Sequence, residues 1–123
     1  ASGVTAALDA IPSPILVGLG GAAGALGRHA VDRLLDGGRG STFAVNVVGS
    51  TLLGALVAAS PPAATLALLG TGFCGAFTTF SSFAVNVTRA LDTGRVDLAL
   101  TDAAGTLAAA LVGVGLGSVL VGV

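Results

Sequence analysis

Apolar positions in this chain fall into four blocks, about 15–35, 42–59, 63–90 and 98–123. Each is close to or longer than the roughly 20 residues that carry an α-helix across the hydrocarbon of a bilayer. Turn-forming segments separate them: residues 36–41 (DGGRGS), 60–62 (SPP) and 91–97 (LDTGRVD). The pattern predicts one all-α integral membrane domain, residues 1–123, of four transmembrane helices. Residues 1–14 lack the basic start of a secretory signal and are expected to form a short lead-in, with Pro14 in the first turn of the helix that follows.

Polar residues interrupt the blocks at a few places. The first block carries Arg28, His29, Asp32 and Arg33 in its last half, so its far end must meet an interface or other protein. In the second block Asn46 lies well inside, and a buried amide costs free energy unless it finds a partner helix, a backbone group, water or a ligand. The third block holds the densest polar run, residues 70–87 (GTGFCGAFTTFSSFAVNV). Phe73, Phe77 and Phe80 recur at helical spacing, and Phe83 follows about 60° round at roughly 100° per residue. Thr78, Thr79, Ser81, Ser82 and Asn86 cannot all share one face. Either the polar groups bond back to their own helix, or the helix breaks near Gly75 and its freed backbone groups bind something else.

Composition strengthens the membrane reading. The chain is 54% hydrophobic and only 9% charged, with a mean hydropathy of +0.99, whereas ordinary soluble domains are about 25% charged. Its 20 glycines suit helices that approach closely through small residues. At 123 residues it has no room for an attached enzyme domain. The one cysteine, Cys74, excludes a disulfide framework within the chain and is expected to be a packing residue. The run from Gly18 to Ala23 matches GxGxxA, but an apolar helical pattern surrounds it and no βα units follow, so a dinucleotide site is excluded.

All five cations are arginines, all six anions are aspartates and the net charge is −1, which points to no nucleic-acid partner. Arg28, Arg33, Arg39, Arg89 and Arg95 all cluster around the first and third connections, and the other side has none. By the positive-inside rule these connections face the cytoplasm.

Three stretches together resemble the Fluc (CrcB) fluoride channel family: GGAAGALGRH at 20–29, NVVGSTLLG at 46–54 and GFCGAFTTFSSF at 72–83. The resemblance implies four helices with a break in the third, an antiparallel dual-topology-type dimer with two pores, and passive export of cytoplasmic fluoride across the bacterial inner membrane. It further implies that Phe80 and Phe83 present ring edges to the anion and that Asn46 is the pore amide. Thr79, Ser81 and Ser82 resemble parts of the break and polar track. Gly75 and Thr78 resemble the carbonyl donors to a structural sodium ion on the dimer axis, and Arg28 the arginine of the first helix.

Such roles are physically sound. A pore for a small, strongly hydrated anion must replace lost water with N–H and O–H donors without holding the ion tightly. Aromatic edges add a weak positive potential. Some positions depart from the family pattern. Asn86 stands where a carboxylate is common, His29 where a tyrosine is, and the fourth helix offers only Thr101, Thr106 and Ser118. The implied antiparallel dimer forms with itself or with a paralogous subunit of opposite orientation, and the one-sided arginines with these departures suggest the paralogous partner. The alternative is a small multidrug/proton antiporter, which needs a titratable carboxylate within a span. Here there is no glutamate, and the aspartates lie near helix ends or loops. No nucleophile, base and orienting group converge, so an enzyme is not expected.

Overall fold

The computed structural model describes residues 3–122, in which all regular structure is helical. A short helix α1 (Gly3–Asp9) leads into α2 (Ser13–Leu34) through a 113° bend. Pro12 caps α2 and a proline occupies its first turn, where no backbone N–H is needed. Helix α3 (Gly38–Ala58) begins inside the polar segment read above as a loop. Asp36, Gly37 and Gly38 take positive φ values of 56°, 66° and 75°, so the chain reverses within three residues and residues 39–41 join the helix.

The third span has four parts: α4 (Ala63–Thr65), a π-helical run (Leu66–Cys74), α5 (Gly75–Phe77) and, beyond a break, α6 (Phe80–Asp92). Helix α7 (Val96–Gly122) completes the described residues. Gly38–Ala58, Ala63–Asp92 and Val96–Gly122 are each long and apolar enough to cross a membrane, and α1 with α2 makes a bent fourth candidate.

Two close helix pairings hold these elements together, α3 on α7 and α2 on the π-helical run. Both depend on missing side chains. A Cβ at Gly20 or Gly24 would fall on the carbonyl oxygens of Leu68 and Phe73, and one at Gly54 or Gly117 on those of Val114 and Thr51. In a bilayer such backbone-to-backbone approach supplies the packing that apolar side chains alone do not. Leu16 and Val45 are fully buried within this packing.

Polar ties fasten the arginine-bearing end. The fully buried Ser41 hydroxyl meets the Asp32 carboxylate. Arg39 donates from Nε and Nη2 to Asp102 at 2.6–2.9 Å, joining the start of α3 to α7. Asn86 Nδ2 donates to Thr42 Oγ1 at 3.2 Å, joining α6 to α3.

Candidate functional site at the break in the third span

The break lies at Thr78–Thr79, not near Gly75. Gly75 has helical angles (φ −60°, ψ −39°). Thr78 (φ −77°, ψ 160°) and Thr79 (φ −145°, ψ 116°) are extended. Glycine tolerates a break but does not dictate one.

Thr78 closes the upstream half. Its N–H and its hydroxyl both donate to the Cys74 carbonyl, at 3.1 and 2.9 Å. Thr79 opens the downstream half as the cap of α6, its Oγ1 accepting the Ser82 N–H at 3.2 Å, with Ser81 Oγ 3.4 Å away. From α3, Asn46 grips the break from both sides of its amide. Its Oδ1 accepts the Thr79 N–H at 2.8 Å and its Nδ2 donates to the Thr79 carbonyl at 3.1 Å. From α2, Arg28 Nε donates to the Ala76 carbonyl at 3.0 Å. Its guanidinium charge thus rests at the negative end of the upstream half.

The break also divides the phenylalanines. Phe73 and Phe77 stack with ring centroids 5.6 Å apart, and Phe77 packs against α2 at Gly27. Phe80 and Phe83 form a separate tilted pair, 5.9 Å apart at 42°, with Phe80 79% exposed. Four phenylalanines in one run thus serve two purposes. One pair packs the helices, and the other is presented outward.

A cavity of about 660 Å³ joins these features, and Asn46, Gly75, Thr78, Thr79, Phe80 and Phe83 all line it. Among the predicted positions, Ser81, Ser82, Asn86 and Arg28 are not part of its lining. Ser81 is exposed just past the break, Asn86 is tied to Thr42, and Arg28 acts from behind. Residues that sequence reasoning did not single out as site residues also line it, notably Ser50, Thr71 and Thr106. Thr51, Thr101 and Ser118 bond back to carbonyls four residues earlier, the usual habit of hydroxyls in helices. Ser50, Thr71 and Thr106 donate no hydrogen bond to the protein among the described residues. Of the three hydroxyls offered by the fourth helix, Thr106 is the one on the cavity, and only its facing, invisible in composition, distinguishes it.

The lining is largely apolar, sets hydroxyls and the Asn46 amide beside Phe80 and Phe83, and contains no carboxylate. That chemistry favours a small anion over a cation along the wall. The backbone carbonyls of Gly75 and Thr78, placed where the helical ladder stops, are hard oxygen donors of the kind an alkali cation takes. Among the described residues no group of three His, Cys, Asp or Glu side chains could hold a metal ion, so a metal of that type has no site there.

An all-helical chain with several membrane-length helices and a donor-lined cavity at a broken span is a multi-pass membrane protein built to handle ions. It belongs to the CrcB family. The family model described as CrcB-like protein, Camphor Resistance (CrcB), matches residues 15–122. The chain is 46% identical over 111 residues to the fluoride-specific ion channel FluC 2 of Natronomonas pharaonis, covering 90% of this chain and 96% of the relative. It is 46% identical over 109 residues to FluC 2 of Haloarcula marismortui, covering 87% and 92%. To FluC 1 of Halobacterium salinarum it is 44% identical over 112 residues, covering 89% and 94%. These relatives are ion channels and not enzymes.

Proposed function

We propose that the chain is a passive, fluoride-selective channel that lets fluoride leave the cytoplasm across the cell membrane and so confers fluoride resistance. The observation that carries this reading is the cavity at Thr78–Thr79, where hydroxyls, an amide and the Phe80–Phe83 pair converge without a fixed charge. Fluoride enters such a wall by exchanging water for O–H and N–H donors and for ring edges. A lysine or arginine in the lining would hold the anion too long. Asn46 retains one Nδ2 hydrogen beyond the one given to Thr79, enough to face the ion. Phe80 and Phe83 form the wall, and the hydroxyls of Thr79, Ser81 and Ser82 extend the donor path past the break.

Four spans fit this reading, with α2 crossing alone after the 113° bend. The working unit is an antiparallel dimer with two pores, its subunits in contact with lipid and with each other. Each copy brings Gly75 and Thr78, both on the cavity wall, to the shared axis. Those carbonyls would hold a structural sodium ion. When bound, such an ion supplies a positive potential that favours anions on either side. The five arginines at one end favour a partner of opposite orientation supplied by a paralogous subunit, since one sequence that inserts both ways needs a near-neutral bias. Cysteine labelling from each side of the membrane separates the two dimers: one orientation is expected, and equal labelling from both sides would establish the homodimer instead.

A proton-coupled antiporter is disfavoured by the lining itself. Asp32 within α2 and Asp102 within α7 are engaged with Ser41 and Arg39, and no aspartate among the described residues lines the cavity. Fluoride efflux from liposomes containing the purified chain, with and without a co-expressed paralogue and with chloride as control, tests the proposal. Rapid fluoride release with chloride retained is expected, and absence of fluoride release in both preparations defeats it.

A further inference from the structure

An uninterrupted helix across residues 75–80 would close two backbone hydrogen bonds, Thr79 N–H to the Gly75 carbonyl and Phe80 N–H to the Ala76 carbonyl. A side chain from another helix takes part of each. Asn46 Oδ1 accepts the Thr79 N–H at 2.8 Å, and Arg28 Nε donates to the Ala76 carbonyl at 3.0 Å. The geometry points to Arg28 and Asn46 as a pair of positioning residues that hold the third span broken, so that the break belongs to long-range side chains and not to its local sequence. This inference rests on the reading of the cavity as the fluoride path, and assigns Asn46 a duty besides facing the ion.

Four further observations agree. Gly75, the local candidate for a break, is helical. The helix carrying Arg28 is seated closely enough to reach Ala76 because Gly24 lies under the Phe73 carbonyl and Gly27 under the Phe77 ring. Arg28 also has no carboxylate partner among the described residues, whereas Arg39 and Arg95 pair with Asp102 and Asp97. Its half-buried charge is therefore set against the carbonyl end of α5. Asn46 matches both the N–H and the carbonyl of one residue, as a neighbouring strand would, and so favours the extended conformation of Thr79.

Without the pair the two intercepted bonds can close. Phe80 and Phe83 then continue the helix of Phe73 and Phe77 and turn away from the cavity. Two extended residues becoming helical shorten the span by about 3–4 Å, since a residue rises about 3.3 Å extended and about 1.5 Å in a helix.

Spin labels at positions 63 and 88, both exposed, report that length by pulsed electron resonance in a Cys74→Ala background diluted with unlabelled chain. The Arg28→Ala/Asn46→Ala variant is expected to shorten the distance by about 3–4 Å and to lose fluoride flux. Arg28→Lys is expected to keep both the distance and most of the flux, because its ammonium can still donate to Ala76. An unchanged distance in the folded double variant overturns the inference, as does an Arg28→Lys variant as damaged as Arg28→Ala. If the double variant does not fold, Arg28→Ala alone is expected to shift part of the distance distribution to the shorter value, and an unshifted distribution overturns the inference. Flux lost at unchanged distance also overturns it, while leaving the fluoride reading intact. An unmutated chain of the expected length that passes no fluoride defeats the channel reading alone.

Discussion

Helix α7 and the stretch Ala63–Asp92 are both long and apolar, 27 and 30 residues with mean hydropathies of 2.0 and 1.4 over their 18-residue apolar windows, yet only the second is broken. In α7 most hydroxyls bond back to the helix itself: Thr101 to the Asp97 carbonyl and Ser118 to the Val114 carbonyl. Two of its glycines serve contact, Gly113 and Gly117, both set against Thr51 of α3. In the third span the traffic runs the other way. Side chains of α2 and α3 reach in and take backbone groups that a regular helix would have used. A membrane helix therefore stays whole when its polar groups are spent locally, and opens when its neighbours offer better partners at a defined place.

The largest effect expected from this difference is at Asn46. Replacing it by Ala leaves the Thr79 N–H and carbonyl without their partner, at about 1–3 kcal/mol for each group. Fluoride efflux, measured by electrode, is expected to fall by about 10- to 100-fold or more. A variant as fast as the unmutated chain would mean that the break does not need α3. Phe80→Ile removes the ring edge while keeping the apolar bulk, so efflux is expected to fall severely with helix content by circular dichroism unchanged.

At α7 the contrast predicts damage to folding and none specific to the ion. Gly117→Leu drives a side chain into the Thr51 carbonyl, and such overpacking costs about 1–3 kcal/mol. The thermal midpoint in detergent should drop, while correctly assembled protein keeps its fluoride-to-chloride preference. Thr79→Ala removes the cap of α6, worth about 1 kcal/mol, together with one hydroxyl of the cavity wall. It is expected to lower efflux modestly, and an effect as large as that of Asn46→Ala would shift the weight from clamp to cap. The smallest effect belongs to the Arg39–Asp102 pair. Arg39 is half exposed, so Arg39→Gln is expected to lower the thermal midpoint only slightly at low salt and not at all at high salt.

The membrane class, the approximate helices and the polar run in the third block could all be read from hydropathy and composition. So could the small-residue contacts, because glycines such as Gly20, Gly24 and Gly54 stand in apolar runs where nothing else needs them. The resemblance already put Thr79 at the break, but the local sequence did not. Local propensity pointed to Gly75, whereas the deciding bonds come from Arg28 and Asn46, which lie 48 and 33 residues from their partners. The π-helical run Leu66–Cys74 carries no local signature either. Phe73, Phe77, Phe80 and Phe83 read as one continuing series until the break divides them into a packing pair and an outward pair. Thr106 differs from Thr101 and Ser118 only in where it faces, a property fixed by how α7 lies on α3.

The central claim, that the cavity at Thr78–Thr79 conducts fluoride selectively, is tested most directly by electrical recording. The purified chain, with its partner where one is required, is placed in a planar bilayer between a solution mostly of sodium fluoride and one mostly of sodium chloride, each holding a little of the other anion. A current whose reversal potential lies close to the fluoride equilibrium potential, and which disappears in Phe80→Ile, is the predicted result. A reversal potential that follows chloride or sodium, or a silent bilayer under the same conditions, would contradict it.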